Sequence, residues 1–221
     1  MNYYNSETKI TEEFACELLN KAGIKCKLNN LECITNVDII AQECFKIDVQ
    51  FSKNFDVYGD CRLDIISAYQ KEVNKNDDTQ QSYIYDKNLK FIDNFEKKHK
   101  VKVIKYGKLF QRDYLDALII FFYKGQDINK DNSNLDKIMI IRKDDIINFL
   151  ENRKAELFNR VKLNDKKRNG LSDVHGSAFI PVNAEYLAKA TSCIFIKFAN
   201  KENFLLNGEK IKEYLFKPKK V

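Results

Sequence analysis

The stretch Asn36-Val37-Asp38-Ile39-Ile40-Ala41-Gln42-Glu43-Cys44-Phe45-Lys46-Ile47-Asp48-Val49-Gln50 decides how this chain is read. From Lys46 onward, Ile47, Val49 and Phe51 alternate with Lys46, Asp48, Gln50 and Ser52, the period of a strand with one apolar and one polar face. Ile34 to Ala41 reads as the strand before it, and a turn centred near Glu43 then sets Asp38 directly across from Asp48. A second turn centred near Asp56 would bring a third strand, Cys61 to Tyr69, alongside, with Asp64 on the other side of Asp48. Directly opposed Cβ atoms lie roughly 4.5–5.5 Å apart, and like charges placed there destabilise a sheet. Such an acidic patch calls for a cation, a protonated member, or an arginine such as Arg62.

Outward from the hairpin, Phe14, Ala15, Leu18, Leu19 and Ala22 recur at helical spacing, with Thr11 placed to cap and Gly23 to terminate. Glu13 and Glu17, at i and i+4, lie one above the other on the polar side of this helix. Further strands are expected at Val101 to Tyr106, Ala117 to Tyr123, Lys137 to Ile141, Ala178 to Val182 and Cys193 to Phe198. Helices are expected from about Asn88 to Lys98, Arg142 to Arg153, from Ala184, and near Glu209 to Phe216. The hydrophilic stretch Lys162 to Ser177 reads as a loop. The pattern describes one α/β domain spanning residues 1–221, a central mixed β-sheet flanked by helices.

Composition narrows the function classes. The 221 residues are 44% apolar and 32% charged, enough for one sizeable core, and no apolar run approaches a membrane span. The N-terminus lacks the positive flank and apolar stretch of a secretory signal, and six cysteines with no C-x-x-C pair read as reduced core thiols, so a cytoplasmic protein is expected. A net charge of +6 permits a polyanionic partner without demanding one. Two histidines, His99 and His175, and unpaired cysteines argue against an ordinary zinc site. None of the seven glycines builds a phosphate-binding loop.

Hard divalent ions take oxygen ligands, and Mg²⁺ is commonly held by one or two carboxylates while keeping waters and substrate phosphate oxygens. Asp38 and Asp48 are the candidate ligands for Mg²⁺ (or Mn²⁺), a centre suited to hydrolysing phosphodiesters. These residues resemble the PD-(D/E)XK nuclease superfamily, whose signature is an acid on one strand followed by an acidic-x-Lys triplet on the next strand of the hairpin. Asp38 matches the first acid, with Val37 where proline is common, and Asp48-Val49-Gln50 matches the triplet. The resemblance covers roughly residues 11 to 70.

It implies a restriction-endonuclease-like core over about residues 9–125, with a C-terminal sheet and helix extension over about 126–221. It also implies a metal-dependent endonuclease acting on DNA, of restriction, phage or defence type, with a homodimer favoured for symmetric cleavage. Members often carry a further acid on the helix before the hairpin, where Glu13 and Glu17 stand, and Glu17 is preferred as the helix end nearer the hairpin. The departure is Gln50 where lysine is usual. Lys46, two residues upstream on the same strand face, is the candidate replacement, with Lys105 or Lys108 as distant alternatives.

Lys162, Lys166, Lys167 and Arg168, with His175 beyond them, form a candidate nucleic-acid contact. Two other readings stay open. One is a catalytically impaired nuclease-fold module that binds nucleic acid or a protein partner; the other is an α/β adaptor with no nucleic-acid partner.

Overall fold

Seven consecutive apolar residues, Ala117 to Tyr123, demand a strand covered on both faces, and the computed structural model builds its largest sheet around them. The structure describes residues 6–29, 37–70, 95–111, 113–167 and 174–218. The elements are α1 (Ser6–Lys21), β1 (Cys26–Leu28), β2 (Ile39–Ala41), β3 (Phe45–Ser52), α2 (Phe55–Tyr58), β4 (Asp60–Gln70), α3 (Phe95–His99) and β5 (Lys102–Tyr106). After a short 3₁₀ turn come β6 (Ala117–Tyr123), β7 (Leu135–Arg142), α4 (Lys143–Asn152), α5 (Lys154–Phe158), β8 (Lys162–Lys167) and β9 (Val174–Asn183). The chain then forms α6 (Ala184–Ala190), β10 (Ile194–Lys197), α7 (Lys201–Leu205) and α8 (Gly208–Leu215).

The chain divides into two compact units. One comprises Met1–Cys61, Leu115–Ile146 and Asn183–Val221, and the other Arg62–Tyr114 and Ile147–Val182.

The first unit holds a six-stranded sheet in the order β1-β2-β3-β6-β7-β10. It is mixed: β3 and β6 run parallel, and the other neighbours are antiparallel. On one face Ile47, Val49, Ile119, Phe121, Ile138, Ile140 and Ile196 join Phe14, Leu18 and Leu19 of α1 and Phe204, Ile211 and Leu215 of α7 and α8 in one core. The other face is apolar at its centre, where Leu118, Ile120, Phe122, Met139 and Ile141 are buried and Phe122 packs on Phe55 at 4.5 Å between ring centroids. Each large side chain so enclosed contributes about 1.5–3 kcal/mol over its exposed state.

Helix α1 begins at Ser6, five residues before Thr11. Thr11 does not cap it; its hydroxyl donates back to the Thr8 carbonyl at 2.8 Å, the bond threonine makes inside a helix. At the other end Gly23 takes φ +80°, and the Ile24 amide returns to the Leu19 carbonyl at 2.9 Å, closing the helix and turning the chain into β1.

The second unit holds a four-stranded sheet in the order β5-β4-β9-β8. Two expectations fail here. Cys61 to Tyr69 is a strand, but it does not extend the hairpin: the second neighbour of β3 is β6, and β4 pairs with β5. Between β3 and β4 the chain makes the helical turn α2, entered and left by the left-handed residues Asn54 (φ 53°) and Gly59 (φ 61°), not a tight hairpin. The stretch Lys162 to Ser177 is likewise not a loop over its described part. Residues 162–167 form β8 and pair with β9 from Lys162↔Phe179 to Lys167↔Val174. As the outer strand of its sheet, β8 needs no apolar face, and lysines suit an edge that must resist further pairing.

Tyr69 of β4 lies over Gly176 of β9 and donates its hydroxyl to Asp165 of β8. A Cβ at Gly176 would meet the Tyr69 ring at 2.4 Å, so only glycine leaves room for the crossing. Arg62, expected beside the acidic patch, stacks its guanidinium on Phe179 at 4.7 Å.

Candidate metal-binding hairpin

The turn between β2 and β3 is built on Gln42 and Glu43, both at positive φ (43° and 74°), a region non-glycine residues enter sparingly. The ladder runs Ala41↔Phe45, Ile40↔Lys46, Ile39↔Ile47, and its next step sets Asp38 across from Asp48 as the sequence spacing requires. β2 begins at Ile39, and just before it the Asp38 carboxylate continues the contact with β3: its Oδ2 accepts the Val49 amide at 2.6 Å. The Asp38 carbonyl in turn accepts from the Asn29 amide at 2.8 Å.

Asp48 is the buried acid, 1% exposed. Its face was expected to be wet; parallel pairing instead lays it beside Leu118 of the buried strand β6. Burying a carboxylate is costly unless it is paired or hydrogen-bonded. The Gln50 amide supplies one such bond, Nε2 to Asp48 Oδ2 at 3.3 Å. Lys46 lies half-buried two residues upstream. Its backbone is clamped by Asp116, whose Oδ2 accepts the Lys46 amide at 2.9 Å and whose own amide donates to the Lys46 carbonyl at 2.8 Å.

Asp116 was not singled out in the sequence. The only signal was its place just before the apolar run, and the register sets it across from Lys46 and diagonal to Asp48. Glu12, buried at 8% exposure, was also passed over in favour of Glu13 and Glu17. Sequence periodicity puts it beside Ala15 and Leu19 on the inner flank of α1, which is the sign that could have found it.

Glu17 is not brought to the hairpin acids. Helix α1 packs on the Ile47 and Val49 face of β3, opposite to Asp48, and Glu17 Oε1 lies 2.7 Å from both Lys21 and Lys201. Those two ammonium groups, Lys201 first, hold its carboxyl below the ordinary value of 4.5. Glu13 is exposed and pairs with Lys9 at 3.7 Å. Asp64, exposed on β4, belongs to the other sheet. Lys105 and Lys108 belong to β5 and the 3₁₀ turn of the second unit.

Lys162 is exposed at the start of β8. The backbones of Lys166, Lys167 and His175 fall on β8 and β9, whereas Arg168 lies outside the described residues.

The donor set at the hairpin, two carboxylates, fits a hard divalent cation such as Mg²⁺ in its two-carboxylate mode. Among the described residues no group of three or more His, Cys, Asp and Glu side chains is placed to hold a metal. Nor is any described helix long and apolar enough to cross a membrane. No family model, curated protein or solved structure matches the chain.

Proposed function

We propose that the protein is a metal-dependent nuclease that hydrolyses phosphodiester bonds in DNA, with Asp38 and Asp48 as its metal-holding acids on a restriction-endonuclease-like core. The observation that supports this most is the β2–β3 register, which sets the two acids on opposed positions of one hairpin behind helix α1. Asp38 and Asp48 would hold a Mg²⁺ or Mn²⁺ ion, which would supply an activated water and neutralise charge developing on the phosphate. Asp38, tied to the Val49 amide, fixes where β2 leaves β3. Gln50 orients the Asp48 carboxylate through its amide, and Lys46 offers an ammonium from the same strand face. The setting we propose is cytoplasmic, with a homodimer where both strands are cut.

A second reading is favoured by Gln50 itself. An amide does not exchange protons as lysine does, and Asp48 is almost wholly enclosed. On that reading the fold binds metal or nucleic acid without cutting.

The two are separated by incubating supercoiled plasmid with wild-type protein and Asp48→Asn, in Mg²⁺, in Mn²⁺ and in EDTA, alongside calorimetric titration of each metal. Cleavage by wild type alone, dependent on metal, supports the nuclease. Metal binding lost in Asp48→Asn, without cleavage by either protein, supports the impaired module. Absence of both cleavage and metal binding overturns the site.

A further inference from the structure

Among the described residues, two cysteines away from the hairpin acids lie side by side. Cys16, in the last turns of α1, and Cys26, at the start of β1, hold their sulfurs 3.5 Å apart. Both are half-buried, and both are free thiols. Asn20 locks their backbones together: its amide nitrogen donates to the Cys16 carbonyl at 2.9 Å and the Cys26 carbonyl at 3.0 Å, and its oxygen accepts the Cys26 amide at 3.1 Å. The same nitrogen lies 3.5 Å and 3.3 Å from the two sulfurs. With the Gly23 turn closing the helix behind them, the pair is set by the fold and not by chance rotamers.

We propose that Cys16 and Cys26 are a redox modification site, converted by hydroperoxides into a reversible disulfide that staples α1 to the edge strand β1. Closing the bond needs the sulfurs to move from 3.5 Å to about 2.05 Å. Cys26 also lines an open cleft of about 760 Å³, with Gly23, Lys25, Lys27, Gln42 and Lys212, which gives a small oxidant access.

The chemistry balances as follows for hydrogen peroxide. One sulfur, as thiolate, attacks the O–O bond, keeps one oxygen as a sulfenic acid, and the departing hydroxide takes up the released proton as water. The second thiol then displaces the sulfenic oxygen as another water and forms the S–S bond. Two thiols and one peroxide become one disulfide and two waters, and the two electrons lost by sulfur reduce the peroxide. Burial, then the neighbouring Cys16, pushes the Cys26 thiol up to about 12, so selectivity comes from proximity and not from an activated thiolate.

The test uses the full wild-type chain, treated with hydrogen peroxide, alkylated under denaturing conditions, digested without reduction and analysed by mass spectrometry. The expected result is a peptide joining Cys16 to Cys26, lighter by two hydrogens, reversed by dithiothreitol, while exposed Cys44 stays alkylated. Linking the ends of this short loop should also raise Tm by about 5 °C or more, a gain absent in Cys16→Ser and in Cys26→Ser. Three outcomes would overturn the proposal: both thiols surviving the oxidant, either one pairing instead with Cys33 or another cysteine, or the linked peptide forming as readily in urea-unfolded protein.

Discussion

The Asp38 carboxylate accepts a hydrogen bond from the Val49 amide at 2.6 Å, at the step where the β2–β3 ladder would otherwise end. An acid read from spacing as a metal ligand therefore also has a backbone to hold. Relief of repulsion between Asp38 and Asp48 would leave an alanine at either position neutral or slightly stabilising. The Val49 bond reverses that expectation at Asp38. Asp38→Ala strands a β3 amide and should cost about 1–3 kcal/mol. Asp38→Asn keeps an acceptor oxygen, so it should stay near wild-type stability and still lose cleavage, because the charge is gone. Urea melts and plasmid cleavage on both variants check this; equal stability of the two would remove the backbone role.

Gln50 is where the chain departs from the nuclease signature, and its amide already touches Asp48. Gln50→Lys puts an ammonium beside that carboxylate. A positioned proton donor or acceptor contributes about 10²–10⁴-fold. We expect at least about a tenfold faster cleavage in Gln50→Lys and a severe loss in Lys46→Ala. Single-turnover rates at saturating Mg²⁺ decide it, and an unchanged rate in Lys46→Ala would exclude Lys46 as the replacement.

What the sequence revealed follows from which interactions are local. The hairpin register was legible because alternation and a short turn fix it together, and β6 was legible because seven apolar residues have few other fates. The partner of β4 was not: nothing in Cys61 to Tyr69 says which edge it joins, and the left-handed Asn54 and Gly59 that redirect the chain are a backbone matter. β8 was read as a loop because LNDKK has no apolar period, yet an edge strand is held by backbone bonds to β9 and needs none. At the site, alternation told which face Asp48 occupies but not that the face is covered. Asp116 and Glu12 escaped for the same reason, since their importance lies in burial and in side-chain bonds to backbone.

Glu17 offers a pH test. Its folded carboxyl is lowered by Lys201 and Lys21, so the unfolded chain binds the proton more readily. The stabilisation is present above the ordinary value of 4.5 and is lost as pH falls through the lowered folded value. The side chain is 39% exposed, so water and salt screen the pair, and Glu17→Gln should cost less than about 1 kcal/mol at pH 7. The difference should vanish in acid and shrink in high salt, with cleavage unchanged. A large activity loss with no stability change would instead return Glu17 to the catalytic centre.

The basic segment at β8 has two roles open to it, edge protection and phosphate contact, and salt distinguishes them. Each phosphate contact on duplex DNA contributes about 0.9 to the slope of log affinity against log salt. Replacing Lys166, Lys167 and Arg168 with alanine should flatten that slope by roughly two to three units if they touch DNA. Binding measured in Ca²⁺ across a salt series gives the slope. No change would leave edge protection as the role of Lys166 and Lys167 on β8.

The crossing of Tyr69 over Gly176 makes the strongest stability prediction for the second unit. Tyr69 is fully buried, burial and the neighbouring Asp165 raise its hydroxyl's pKa, and it reaches across β9 to bond Asp165 on β8. A methyl at position 176 would overlap the ring and also press on the Asn164 carbonyl at 2.8 Å, so neither neighbour yields easily. Gly176→Ala should cost about 1–3 kcal/mol from overpacking. Tyr69→Phe removes only the hydrogen bond, about 0.5–1.5 kcal/mol, and keeps the ring. If the ring is the obstacle, Tyr69→Ala should be damaging alone, yet adding Gly176→Ala to it should cost far less than in wild type. A double-mutant cycle by urea denaturation measures this coupling. Additive costs would mean that the glycine is required by β9 itself and not by the tyrosine above it.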